Sequence, residues 1–150
     1  MINSRNAISI KGFSLFEVST VAVVILALSA ITVPGMYSIY SSYKLASTTQ
    51  AISATLQSAR ARAVRENKPI TVIFNAGTKQ FGIDENDNGQ LETSEAFQLP
   101  EGITIKPYVT VAFMPNGELP PGVGALAVTV SNGGESRSLN IMSNGQMEIS

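Results

Sequence analysis

The sequence predicts an α+β chain: one long N-terminal helix packed on a small antiparallel β-sheet domain. Three observations carry that expectation. Residues 13–33 form an apolar run in which Glu17 is the single charge. Between residues 45 and 63, apolar and small side chains recur at spacings of four and three, the period of one helix face. From Pro69 onward, short apolar–polar alternations are cut repeatedly by Gly, Pro and Asn pairs.

The first element is the apolar run. It has 21 residues from Phe13 to Val33, and roughly 20 helical apolar residues cross a bilayer core. Arg5 and Lys11 precede it and the next charge after Glu17 is Lys44. Basic residues on the N-terminal side predict that end in the cytoplasm and the rest outside. A cleaved secretory signal would end in small residues, here Ala27, Ser29 and Ala30, with its cut on the far side. An uncleaved anchor explains the length but gives no reason for Glu17, since a carboxylate in lipid costs about 3 kcal/mol. A third reading uses Gly12, Phe13 and Glu17 together. Gly12 is small and unhindered, so a protease at the membrane surface can cut directly after it.

The second element continues the helix. Pro34-Gly35 interrupts the pattern, so a kink at Pro34 is expected, or else the end of a membrane helix. Beyond it, Leu45, Thr49, Ile52, Leu56, Ala59 and Ala63 form the stripe that a helix lays on a sheet. Arg60, Arg62 and Arg65 lie mostly off the stripe. They read as a solvated face with cations at a helix C-terminus, where the dipole favours them. Asn67-Lys68-Pro69 ends the helix, because a residue before proline avoids the helical region. The chain thus divides into 1–12, 13–35, 36–68 and 69–150.

The remaining elements are strands. Ile70, Val72 and Phe74 alternate with polar neighbours, although Ile73 is apolar on the other face. Further strands are expected over 80–84, 103–106, 109–114, 125–131, 137–142 and 146–149. The turn signals between them include Ala76-Gly77, Asn116-Gly117, Pro120-Pro121-Gly122, Asn132-Gly133-Gly134 and Asn144-Gly145. A sheet of about 80 residues is small for a core, so the amphipathic half of the helix is needed to complete it.

Two sets of residues resemble known families. Gly-Phe-Ser-Leu-Phe-Glu-Val at 12–18 resembles the class III signal of type IV pilins and pseudopilins, usually Gly-Phe-Thr-Leu-Ile-Glu-Leu. The helix end Ala-Arg-Ala-Arg-Ala-Val-Arg-Glu-Asn-Lys-Pro at 59–69 is followed by Phe113-Met-Pro-Asn-Gly117, Val128-Thr-Val-Ser-Asn-Gly-Gly134 and Leu139-Asn-Ile-Met-Ser-Asn-Gly145. Together these resemble the GspH/FimT family of minor pseudopilins and minor pilins. The resemblance implies a type IV pilin-like fold and a leader peptide over 1–12. It implies that prepilin peptidase cuts between Gly12 and Phe13 and that Phe13 is then N-methylated. It further implies a single-pass protein of the bacterial inner membrane, N-terminus cytoplasmic and C-terminal domain periplasmic. From there the chain would join other pseudopilins or pilins in a helical filament. Glu17 would serve assembly by pairing with the Phe13 amine of a neighbouring subunit. The implied role is minor pseudopilin of a type II secretion system. The alternative is a type IV pilus minor pilin in pilus assembly or DNA uptake.

Composition narrows the function. With no Cys and no His, a disulfide framework and a Cys/His zinc site are excluded. No base or nucleophile of those types exists, no serine sits in Gly-x-Ser-x-Gly, and no phosphate-binding glycine loop occurs. The chain is therefore not expected to be an enzyme. Removing the two basic residues of 1–12 leaves 8 basic against 11 acidic residues, a net charge of −3. The tail Asn144–Ser150 holds no basic residue, with only Lys106 and Arg137 nearby. Both facts argue against nucleic acid as a partner.

One loop suggests a cofactor. Residues 84–95 fit D-x-[DN]-x-[DN]-G-x5-E in full. Asp84, Asn86, Asn88, Gln90, Glu92 and Glu95 would be the calcium ligands, Gln90 through its carbonyl and Glu92 through water. Three neutral ligands would make the affinity weak. The other reading is a polar hairpin tip turned by Asn88-Gly89, and the strand-like Phe81-Gly82-Ile83 before it departs from a helix–loop–helix unit.

Overall fold

The computed structural model describes residues 12–92, 94 and 96–150, without the side chains of residues 32–35. One helix, α1 (Leu15–Glu66), is followed by eight strands. These are β1 (Ile70–Asn75), β2 (Gln80–Asp84), β3 (Ala96–Gln98), β4 (Thr104–Lys106), β5 (Thr110–Phe113), β6 (Leu126–Ser131), β7 (Ser136–Ile141) and β8 (Met147–Ile149). The chain divides into two compact units, Met1–Ser38 and Ile39–Ser150.

In the first unit, every described residue from Gly12 to Ile31 is exposed. This part of α1 is long and apolar enough to cross a membrane. Its hydroxyls are satisfied within the helix. Ser19 Oγ donates to Leu15 O at 2.8 Å, Thr20 Oγ1 to Phe16 O at 2.9 Å and Ser29 Oγ to Ile25 O at 2.8 Å. Such back-bonding is what polar side chains need where no water reaches them. The kink expected at Pro34 falls on side chains outside the described ones.

In the second unit, the expected stripe is the inner face of α1. Leu45, Thr49, Ile52, Leu56, Ala59 and Ala63 are all at most 1% exposed. They share one core with Val72, Val111, Phe113, Val128, Val130 and Ile141 from the strands. The helix ends where Asn67 enters the left-handed region, φ 50°, the usual conformation just past a helix C-terminus.

The strands form two four-stranded antiparallel sheets, ordered β3-β2-β1-β5 and β4-β6-β7-β8. The small β domain is thus divided, with alternate residues of each sheet supplying the core. In β1, Ile70, Val72 and Phe74 point inward, and Val72 pairs with Ile83 on one side and Val111 on the other. In β6, Val128 and Val130 do the same, opposite Leu139 and Arg137. Sequence reasoning missed β3. It is three residues long and its signal is Phe97 alone, which stacks on Phe81 at 5.6 Å, while Phe81 stacks on Phe74 at 6.1 Å.

Candidate functional site

The junction before α1 is open. Gly12 to Ser14 are not helical, Gly12 is exposed, and a side chain at Gly12 would meet nothing within 4 Å. Phe13 is 80% exposed. The first helical turn starts as Val18 N donates to Ser14 O at 3.1 Å. Glu17 lies in that turn, where the helix dipole favours a carboxylate. Glu17 makes no hydrogen bond or ion pair among the described residues. An exposed Gly12-Phe13 pair therefore sits ahead of a carboxylate that is unpaired among the described residues, in an otherwise apolar run.

The 84–95 loop is a self-bonded turn over its described part. Asp84 is buried, 3% exposed, and closes the loop with both oxygens. Its Oδ1 accepts from Asn88 N at 3.2 Å and its Oδ2 from Gly89 N at 2.7 Å. Asn86 Oδ1 accepts from Asn88 N at 3.2 Å, and Asn88 Oδ1 from Gln90 N at 2.8 Å. Asn86 Nδ2 donates to Glu92 Oε1 at 2.9 Å. Glu95, the expected bidentate ligand, lies outside the described residues. Among the described residues no group of three acidic side chains converges as a metal would need. Over its described part the loop has the geometry of a hairpin tip between β2 and β3.

The arginines depart from expectation. Arg65 is exposed, but Arg60 and Arg62 are half-buried. Arg62 Nη1 meets Glu85 Oε1 at 2.7 Å and its Nε meets Glu66 Oε1 at 3.2 Å, tying the 84–92 loop to α1. The Glu85 hydrogen bond, then Glu66, raises the Arg62 pKa against the cost of burial. Glu66 is held below the usual carboxylate range, first by Lys68 at 3.1 Å and then by Arg62.

Arg60 serves a different purpose. Its Nε donates to Gly117 O at 2.9 Å and its Nη2 to Asn144 O at 3.3 Å. These carbonyls belong to two turns of the same build. Met114 N donates to Glu118 O and Met142 N to Gln146 O, each at 2.8 Å. Gly117 N donates to Met114 O and Gly145 N to Met142 O, each at 2.8 Å. Asn116 Oδ1 and Asn144 Oδ1 accept from the backbone two residues on, at 3.1 and 3.0 Å. Leu119 N joins the turns through Ser143 O at 2.9 Å. The repeat of Met-x-Asn-Gly at 114–117 and 142–145 was visible in the sequence. Its stacking under Arg60 was not.

A Ser-x-x-Lys spacing also occurs, Ser41 to Lys44, and it builds no nucleophile–base pair. Ser41 Oγ accepts from Asn132 Nδ2 at 3.0 Å, while Lys44 Nζ reaches Glu101 O at 3.4 Å and the Tyr40 ring at 4.7 Å.

Comparison with known proteins agrees with this geometry. The profile of the family described as type II transport protein GspH matches residues 48–146. No curated protein matches the sequence. The type IV minor pilin FimU of Pseudomonas aeruginosa PAO1 superposes with a TM-score of 0.60 at 22% identity, over 71% of this chain and 92% of that one. A second crystal form of FimU gives 0.61 at 22% identity, over 72% and 89%. The minor pseudopilin EpsH from the type 2 secretion system of Vibrio cholerae gives 0.55 at 14% identity, over 71% and 96%. At these identities the likeness is one of fold: a long N-terminal helix followed by antiparallel sheets, the type IV pilin-like fold.

Proposed function

We propose, from the premise that this chain belongs to the GspH family, that it is a minor pseudopilin of a type II secretion system. The family consists of structural pilin and pseudopilin subunits and not enzymes. What supports the finer reading is the family's description as type II transport protein, matched over 48–146; Gly12-Phe13 and Glu17 ahead of it fit a pseudopilin or a pilin. On this reading the chain waits in the inner membrane, its C-terminal domain in the periplasm. Prepilin peptidase cuts after Gly12 and the new Phe13 amine is methylated. The exposed apolar helix then leaves lipid for the centre of a filament.

Glu17 gives that transfer a register. A carboxylate in an apolar environment is costly alone and tolerable when paired. The Phe13 amine of an adjacent subunit is a cation of the right sign at the matching end of the helix. Two costly groups satisfy each other only when the subunits are correctly offset.

A second reading, a type IV pilus minor pilin, is favoured by one observation. FimU superposes better than EpsH, 0.60 against 0.55, and at higher identity, 22% against 14%. DNA uptake is not supported by the tail, which has no basic residue from Asn144 to Ser150.

Mild cross-linking of native membranes followed by mass spectrometry tests both readings at once. The expected result is a mature start at methylated Phe13, cross-linked to secretion pseudopilins. The same start cross-linked to pilus subunits moves the chain to type IV pili. An intact leader with no filament partner overturns both.

A further inference from the structure

Four Asn-Gly pairs occur in the second unit: Asn88-Gly89, Asn116-Gly117, Asn132-Gly133 and Asn144-Gly145. In such a pair the glycine nitrogen, once deprotonated, lies within reach of the asparagine side-chain carbonyl before it. The attack is intramolecular, and glycine has no Cβ to shield it. The structure treats the four nitrogens differently. Gly117 and Gly145 are buried, and each donates to a backbone carbonyl at 2.8 Å. Gly89 N donates at 2.7 Å to the buried carboxylate of Asp84, and an anionic acceptor opposes loss of that proton. Gly133 is exposed, and a side chain there would meet nothing within 4 Å. Its nitrogen donates to Ser131 Oγ at 3.1 Å, a neutral hydroxyl. Of the four protons, this one is held most weakly.

The carbonyl that would be attacked is also distinct at this pair. Asn132 Oδ1 accepts from Gly134 N at 3.0 Å and from Glu135 N at 2.7 Å. Attack on Cγ drives negative charge onto Oδ1. Two backbone donors already aimed at that oxygen strengthen as the charge develops, as in an oxyanion hole. Among the described residues, Oδ1 of Asn88, Asn116 and Asn144 each has one backbone donor two residues on, at 2.8, 3.1 and 3.0 Å.

We propose that Asn132-Gly133 is a self-modification site, at which the folded chain releases ammonia and takes up water. Solvent base removes the Gly133 N proton, and the nitrogen bonds to Asn132 Cγ. The Cγ–Nδ2 bond breaks, and Nδ2 leaves as ammonia with a proton from solvent. Water then opens the resulting succinimide at either carbonyl, giving aspartate or isoaspartate. Nothing is oxidised or reduced. Both products lose Nδ2, which donates to Ser41 Oγ of α1 at 3.0 Å. Isoaspartate also adds a backbone carbon inside the β6–β7 turn, which Asn132 N closes on Glu135 O at 3.1 Å. The modification therefore acts on the contact between that turn and α1, whichever filament the chain joins.

The test needs no variant. The full chain in detergent is held folded in mildly alkaline heavy-oxygen water, and peptides are followed by mass spectrometry. A parallel sample is held in urea. In the folded chain, Asn132 should take up heavy oxygen at least about tenfold faster than each of the other three. In urea, where all four nitrogens are solvated, the rates should converge. Equal rates in the folded chain overturn the proposal, as does a lead by any other pair. A lead of Asn132 that persists in urea also overturns it, because local sequence and not the fold would then set the order.

Discussion

Single residues in the second unit have tasks that their type alone does not reveal. Gly145 is at φ 77°, and a Cβ there would collide with the Gly117 carbonyl oxygen and stand 2.8 Å from Arg60 Nε. Gly89 is at φ 76° with nothing within 4 Å. Gly89→Ala should therefore cost only the backbone term, about 1 kcal/mol. Gly145→Ala should cost about 3 kcal/mol or more, because strain and collision combine. Urea unfolding of the full chain in detergent measures both. Arg60→Ala leaves two turn carbonyls without their donor and should cost about 2 kcal/mol. Arg60→Lys should recover little, since one ammonium cannot reproduce the forked geometry. Glu66 yields a pH prediction. Its folded pKa is depressed, so its contribution is present above the unfolded carboxylate value and lost as pH falls through the folded one. Glu66→Gln should lower the melting temperature at pH values above the unfolded carboxylate pKa, and the gap should close as the pH falls through the depressed folded value.

At the scale of elements, the longest signals were the most legible. The α1 stripe was readable because six positions at helical spacing repeat one choice, and all six are at most 1% exposed. Leu56→Ala should open a cavity at its centre and cost about 3 kcal/mol, seen as faster pulse proteolysis of the second unit. Strand β3 was illegible because three residues cannot display a period of two. Its partner β2 defines it, through pairs such as Phe81 with Phe97. The 84–95 loop was legible as a motif but ambiguous in purpose, since a calcium loop and an Asx-rich turn use the same residues. Burial of Asp84 with two backbone donors gives it a structural task. Asp84→Ala should destabilise the chain by about 2 kcal/mol, and Asp84→Asn should cost less because one acceptor oxygen remains. Differential melting in calcium-free buffer checks this.

At the scale of the whole molecule, the proposed assembly turns on one charge. Glu17→Leu removes the only charge between Phe13 and Tyr43. The variant should stay in the membrane, because the apolar run becomes more apolar. It should be absent from sheared filaments, because no carboxylate remains to meet a neighbour's Phe13 amine. Incorporation at the normal level would remove that task from Glu17. Membrane fractionation and filament immunoblots of one culture read both halves of this expectation.

By itself the sequence determined the long helix, the stripe that faces the core, the turn-punctuated strands and the family. These rest on local terms, namely hydrophobic period, uncharged length and the conformational preferences of Gly, Pro and Asn, each expressed within a few residues. Only the tertiary structure decided that the β domain is two sheets, that Arg60 clamps two like turns, and that Arg62 holds the 84–92 loop to α1. Those outcomes join residues 57 and 84 positions apart for Arg60 and 23 for Arg62. Which donors and acceptors meet over such separations is set by how the core closes, because a half-buried guanidinium takes whatever carbonyls or carboxylates the packing leaves unpaired.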